Sequence, residues 1–317
     1  MSNKILVTGG AGFIGSHIVE YLLSQNKKVR VIDNLSTGSL ENISHLLSNK
    51  NLEFIKGDIS DIEIVRLVCE DVYIICNQAA IGSVPRSIND PLTSHINNVD
   101  GFLNILLVAK EKGIKRIVYA SSSSVYGDSE ILPKKEDTIG NPLSPYAITK
   151  YINELYANLF TKLYGLECIG LRYFNVFGPR QNPNGAYAAV IPKFINLLLD
   201  GKQPIIHGNN GENSRDFTYI QNVVMANNLA MFTLNENCFG TAFNIGAGGK
   251  ITILELFSKI KKYLNSQIEP IMGESKIGDV EHSCASIDKS KELLEYVPEI
   301  SFDDGLEKTI EYFVNKN

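Results

Sequence analysis

The chain has 317 residues, 44% of them hydrophobic and 21% charged, which excludes disorder and fibrous repeats and allows one large domain or two modest ones. Thirty Lys and Arg against thirty-five Asp and Glu leave a net charge of −5, so no global field draws it to nucleic acid or anionic lipid. No apolar run reaches membrane-spanning length, no signal-peptide core follows Lys4, and five scattered cysteines without CxxC spacing argue against zinc and disulfides; a metal-free cytoplasmic protein is expected.

Short β-branched runs at 5–7, 29–32, 54–55, 72–76, 117–120 and 168–171 predict strands. Between them, helical periodicity at 16–24, 93–112 and 146–164 predicts helices. This alternation indicates βαβ units and an α/β fold, a Rossmann-type doubly wound parallel sheet. After Arg172 the rhythm breaks into turn-rich stretches at 178–185 and 208–211. Thr252 with Glu255 forms a capping box, and Asp288 and Ser301 are predicted as further N-caps. The expected organisation is a dinucleotide-binding domain over 1–178, with a return segment near 215–247. A smaller substrate-binding α/β domain is expected over 179–317.

The first strand runs into Gly9, Gly12 and Gly15. Gly9 permits a tight turn, Gly12 lets backbone approach a pyrophosphate, and Gly15 lets the helix pack close to the strand. Asp33 ends the second strand eighteen residues after Gly15. Its carboxylate suits a ribose 2′-hydroxyl and repels a 2′-phosphate, which favours NAD over NADP. Asn34, Ser36, Thr37 and Gly38 follow in a polar loop able to add ribose contacts.

Ser144 and Pro145 predict a helix start, placing Tyr146 in the first turn and Lys150 four residues on, along one face. A tyrosine is a poor base at neutral pH. A nearby ammonium and an oxidised nicotinamide favour its phenolate. A hydroxyl cluster, Ser121 to Ser124 before Val125-Tyr126-Gly127, ends the fifth strand, where open α/β sheets bind ligands.

The GxxGxxG spacing, the Tyr146–Lys150 pair and the serine cluster resemble the extended short-chain dehydrogenase/reductase family. The resemblance covers nearly the whole chain. It implies NAD contacts from Phe13 and Ile14 within the glycine turn, Asp58 and Ile59 after the third strand, and Gln78, Ala79 and Ala80 after the fourth. Asn98 in the next helix and Tyr173 and Phe174 after the sixth strand complete that set. Asn77 departs from the family's usual histidine. The resemblance further implies Tyr146, Lys150, Ser122, Ser123 and Ser124 as catalytic residues, with Ser122 and Ser123 also touching substrate.

Dehydratases and decarboxylases of the family carry an acid where this chain has Ser123 and Ser124, so an epimerase is expected. On the substrate side the resemblance implies Gly82 and Ser83, Asn175, Ala189 and Val190, and Arg215. Arg215 carries the planar fork that suits a diphosphate. Lys276 and Asp279 stand where the family usually reads Arg-x-Gly-Asp. Ser283 aligns with the wall beside the sugar's C2 substituent, and its small size suits an N-acetyl group.

The implied activity is interconversion of UDP-N-acetylglucosamine and UDP-N-acetylgalactosamine with bound NAD, in a homodimer formed through the helices near 93–112 and 146–164. Alternatives are epimerases of UDP-glucose and UDP-galactose or of the uronic acids. A non-catalytic NAD sensor is the remaining rival, and it would have no need of Tyr146 and Lys150.

Overall fold

The computed structural model describes residues 4–184, 188–274 and 281–316. The first half runs β1 (Lys4–Thr8), α1 (Phe13–Ser24), β2 (Lys28–Asp33), β3 (Leu52–Lys56), α2 (Ile62–Val68), β4 (Val72–Asn77), α3 (Val84–Asn89) and α4 (Pro91–His95). It continues through α5 (Gly101–Lys112), β5 (Arg116–Ser122), α6 (Pro145–Tyr164) and β6 (Glu167–Tyr173). The second half is more broken: β7 (Val176–Phe177), α7 (Val190–Leu199), β8 (Ile205–His207), β9 (Ser214–Arg215), β10 (Thr218–Tyr219) and α8 (Ile220–Phe232). There follow β11 (Thr241–Ile245), β12 (Ile251–Thr252), α9 (Ile253–Tyr263), β13 (Ile271–Gly273), α10 (Asp288–Leu294) and α11 (Phe302–Lys316).

Seven parallel strands form the central sheet in the order β11-β6-β5-β4-β1-β2-β3. Helices cover both faces, so central strands such as β1 and β4 are apolar on both sides, while the edge strand β3 is only half-buried and carries Glu53 and Lys56. Along β1, Ile5 and Val7 enter the core built on α1 and α8, while Leu6 enters the one built on α2 and α5. All three are fully buried, each contributing about 1.5–3 kcal/mol. The chain proceeds one way from β1 to β3 and resumes on the other side at β4. The loops after β1 and β4 therefore diverge and open a crevice at the strands' carboxyl ends. Among the described residues, no helix is long and apolar enough to cross a membrane.

Local caps follow the sequence signals at Ser144, Thr252 and Ser301, whose hydroxyls accept from Ala147, Glu255 and Asp304 backbone amides at 3.1, 3.0 and 3.1 Å. Asp288 is a correction. Ile287 occupies the cap position, and Asp288 is the first helical residue, its carboxylate accepting from the Ser286 hydroxyl at 2.8 Å. The single helix expected over 93–112 is interrupted by a π-helical turn at Ile96–Asp100. That turn carries Asn98 inward, where its side chain bonds both backbone groups of Ile81 and the Thr149 hydroxyl.

Candidate active site

The crevice begins at the glycine turn. Gly9 takes φ +65°, and its N–H donates to Ile32 O at 2.8 Å, tying the turn to β2. A Cβ at Gly15 would stand 2.2 Å from the Gly9 carbonyl oxygen, so only glycine allows α1 to start this close to β1. Gly12 caps α1 without a side chain, leaving the first-turn amides facing the crevice for an anion. These features fit a dinucleotide pyrophosphate.

Asp33 clamps the turn: its carboxylate accepts from Ala11 N at 2.9 Å and Leu35 N at 2.8 Å. Asn34 donates to Asp58 at 2.7 Å, and Ser60 binds the other Asp58 oxygen through N–H and hydroxyl. Burial pulls the Asp58 pKa upward, but the bonds from Ser60 and Asn34 outweigh it and hold the carboxyl below its ordinary range. Ser36 and Thr37 line the same end, with Phe13, Ile14 and Ile59; Gln78, Ala79, Ala80 and Gly82 line the middle. Gly38 lies outside the lining, packed where a Cβ would meet the Ala11 carbonyl carbon at 2.9 Å.

Tyr146, Lys150 and Tyr173 close the far end. The Lys150 ammonium lies 5.8 Å from the Tyr146 ring centroid and donates to Ala120 O at 2.8 Å. Burial lowers the Lys150 pKa to about 8, with Glu154 opposing the fall. Burial likewise raises Tyr146, which a hydrogen bond with Ser122 counters. The depressed tyrosine expected from the sequence is therefore absent in the protein alone. Desolvation of the phenolate outweighs the Ser122 hydrogen bond, and the positive nicotinamide lies outside that balance.

The Ser122 hydroxyl accepts from Ser124 N at 3.1 Å and donates to the Ser124 hydroxyl at 3.2 Å, shaping a 3₁₀ turn over Ser123–Tyr126. The Tyr146 amide, in turn, is held by the Ser87 hydroxyl at 3.0 Å, a contact 59 residues away that no local pattern announced.

Several predicted residues lie elsewhere. Asn98 is buried beneath the crevice, bonded as described, and Asn97 lines the wall instead. Phe174 is fully buried with Val125, Tyr126 and Ala285 in a satellite core, whereas Tyr173 points the other way into the crevice. Ser83 lies outside the lining as the cap of α3, its hydroxyl accepting from Arg86 N at 3.3 Å. The Tyr173 hydroxyl meets Gln78 and Asn227 at 3.1 Å, and Asn227, buried on α8, is a support that sequence reasoning missed.

Three of the residues expected on the substrate side, Asn175, Arg215 and Ser283, gather around β9. Ser283 donates its N–H to Ser214 O at 3.0 Å, which brings its strand-like segment alongside Arg215. Asn175, at φ +30°, donates to Asp216 O at 3.1 Å and so joins the same cluster. Asp216, also missed from sequence, is fully buried and accepts from the amides of Ala247, Gly248 and Ala285 at 2.9, 3.1 and 3.1 Å. Burial pushes this carboxyl up while those amides pull it down. Ala189 caps α7, with Val190 its first residue. Lys276 and Asp279 lie outside the described residues.

Residues 5–246 match the family model described as the NAD dependent epimerase/dehydratase family. A putative UDP-glucose 4-epimerase of Methanocaldococcus jannaschii is 40% identical over 315 residues, 99% of each chain. Among solved structures, the UDP-glucose 4-epimerase of Thermotoga maritima with UDP-glucose is 37% identical with a TM-score of 0.93, over 99% of each chain. The UDP-N-acetylglucosamine 4-epimerase of Methanobrevibacter ruminantium, in complex with UDP-N-acetylmuramic acid, is 39% identical with a TM-score of 0.93, over 100% of this chain and 99% of that one. With a glycine cradle that fits a dinucleotide and a tyrosine–lysine pair at its far end, the chain is an NAD-dependent enzyme and belongs to the NAD dependent epimerase/dehydratase family.

Proposed function

We propose that the protein is a UDP-sugar 4-epimerase and that its substrates are UDP-N-acetylglucosamine and UDP-N-acetylgalactosamine. The observation that carries the reaction class is the Tyr146–Lys150 pair set against a serine turn, Ser121–Ser124, that contains no acid. Removing and returning one hydride at a carbinol carbon needs a base and a hydrogen-bonding hydroxyl; eliminating water calls for a further acid. Tyr146 takes the proton of the sugar's C4 hydroxyl, and Ser122 holds that oxygen. Lys150 supports the phenolate. Bound NAD supplies the hydride acceptor and later the donor. Arg215 and Asn175 hold the diphosphate, so the 4-keto sugar turns about its anchor and presents its opposite face. Tyr146 then returns the proton.

The N-acetyl preference draws its support from Ser283, small and partly buried beside Arg215, and from the likeness to the Methanobrevibacter enzyme. Incubating the purified protein with each UDP-sugar and separating the products tests both levels. Turnover of the acetylated pair is expected; turnover of UDP-glucose or UDP-glucuronic acid alone overturns the preference, and no turnover of any overturns the epimerase reading. Ser283→Tyr should lower the ratio of kcat/KM for the acetylated over the plain hexose about 5- to 150-fold, because overpacking costs about 1–3 kcal/mol.

A homodimer is part of the same proposal. Leu155, Leu159 and Leu163 on α6 and Leu107 on α5 are exposed at 54%, 46%, 61% and 40%, an apolar stripe suited to a second copy of the same helices.

A further inference from the structure

Behind the Tyr146–Lys150 pair, α6 grips β5 with three successive turns. Lys150 donates to Ala120 O at 2.8 Å and Glu154 accepts from the Ser121 hydroxyl at 2.5 Å, while Ser122, next along the strand, is the hydroxyl that counters the effect of burial on Tyr146. Positions 146, 150 and 154 share one helix face, and they hold three consecutive residues of the strand that delivers the serine turn. Glu154 is itself held by a fork. Arg172 on β6 donates Nε to one carboxylate oxygen at 2.9 Å and Nη2 to the other at 2.8 Å, with both side chains under a tenth exposed. The remaining arm of Arg172 donates to the Tyr126 hydroxyl at 2.9 Å and to Glu136 O at 3.0 Å. Tyr126 closes the serine turn and donates onward to Asn244 of β11 at 2.6 Å.

A buried ion pair of this kind is weak support for stability, since desolvation offsets most of its attraction. What it does supply is fixed geometry and a negative charge one turn from Lys150. We propose that Glu154 is a positioning residue for catalysis: it locks the serine turn against the helix that carries Tyr146 and keeps an anion beside the Lys150 ammonium. The inference rests on the reading of Tyr146 and Lys150 as the reacting pair.

Lys150 needs such a neighbour. Burial brings its pKa to about 8, within reach of working pH, and Glu154 is the group that opposes the fall. The other titratable or charged side chains on the strands and helices packed against α6 are Arg116 and Tyr119 on β5, Glu167, Cys168, Arg172 and Tyr173 on β6, Tyr126 in the serine turn, Arg86 on α3, and Lys110, Glu111 and Lys112 on α5. Glu167 is held by Arg116 at the opposite end of the strands, at 2.7 Å, and Glu111 by Arg66 at 3.1 Å, so Glu154 is the carboxylate that acts on Lys150. His95 and Asp100, flanking the π turn, are about half exposed and pair with each other at 3.7 Å.

The test uses the full-length enzyme with its NAD and compares Glu154→Gln, Glu154→Asp and Ser121→Ala. Glu154→Gln removes the charge while keeping the volume. Its kcat at neutral pH should fall about tenfold, and the alkaline limb of the kcat–pH profile should move to lower pH by about one unit. The sign follows because losing a nearby anion makes Lys150 release its proton more readily. Glu154→Asp keeps the charge but shortens the reach, so kcat should fall with the limb in place. Ser121→Ala should lower kcat several-fold, again without moving the limb. Wild-type kcat and limb in Glu154→Gln, or equal limb shifts in the Gln and Asp variants, overturn the proposal. Should Glu154→Gln fail to fold, Ser121→Ala decides, and an unchanged kcat there overturns the lock. Tyr146→Phe run alongside separates the two readings: an active Phe variant dismisses the reacting pair, and an inactive one beside a normal Glu154→Gln dismisses only Glu154.

Discussion

In the cofactor half, the glycine turn and the Tyr146–Lys150 pair sit on a seven-stranded parallel sheet covered by helices and on a 20-residue helix. In the substrate half, Asn175, Arg215 and Ser283 hang on two-stranded ribbons and loops that converge on one buried carboxylate, Asp216. The first arrangement is rigid because every element is crossed by many others in the core. The second depends on a few hydrogen bonds between distant loops, which suits a site that must grip a diphosphate while the sugar turns. On the proposed mechanism, chemistry is thus placed on the half built on the large sheet, and recognition on the half that a single side chain can loosen.

The largest effect should come from the stiff half. Tyr146→Phe removes the proton-transfer oxygen with almost no change in volume, so kcat should fall about 10²- to 10⁴-fold. NAD stoichiometry and thermal midpoint should stay at wild-type values. A fall expressed only in KM would place the lost interaction in recognition and break the division between the halves.

The seam between them should respond to pH. His17 on α1 contacts Pro179 O through Nε2 at 2.9 Å and Arg180 through Nδ1 at 2.7 Å, just where the substrate half begins. A neutral ring donates to the carbonyl and accepts from the guanidinium; a protonated ring would set N–H against N–H. Burial, with the Arg180 charge adding to it, lowers the His17 pKa from 6.5 to about 4. Between those values the unfolded chain binds a proton that the folded chain refuses. The His17 contribution is therefore complete above pH 6.5 and is lost as pH falls towards 4, about 2 kcal/mol in all given the ring's partial exposure. Denaturant midpoints at several pH values should fall over this window in the wild type, and less steeply in His17→Gln. Equal slopes would remove His17 from the seam.

How far the sequence announced these features depends on the chain distance between partners. The glycine turn, Asp33 and the Tyr146–Lys150 spacing are each local, and the structure sets them along one crevice. Phe174 and Tyr173 are adjacent in the chain, but they leave the end of β6 on opposite sides, one to a satellite core and one to the crevice. The period-2 alternation of a strand could have separated them. Asn98 was visible as a polar residue in a helical run, yet its inward turn comes from the π-helical step, which carries no residue signature. Arg172 and Glu154 lie 18 residues apart, and Asp216 reaches amides 31, 32 and 69 residues away. Such partners are chosen by tertiary packing alone.

Asp216→Asn gives the smallest expected effect and the sharpest reading of the substrate half. One carboxylate oxygen accepts from Ala247 N, and the other accepts from both Gly248 N and Ala285 N. Asparagine keeps one acceptor and turns the other into a donor, so either rotamer sets at least one backbone N–H against an amide N–H. The cost of an unsatisfied buried group is about 1–3 kcal/mol. The strand-like segment of Ser283 and the loop after β11 approach closely here, since a Cβ at Gly246 would meet Ala285 Cβ at 2.7 Å. Relaxing the clash should let these two segments part and loosen the walls beside Arg215 and Ser283. The expected outcome is a KM for the UDP-sugar raised about tenfold, equivalent to about 1.4 kcal/mol. The kcat should stay within about twofold, because Tyr146, Lys150 and the serine turn are fixed by the other half. NAD stoichiometry should not change. A loss of kcat at constant KM would mean that the clamp reaches the chemistry, and that the two halves work as one rigid unit.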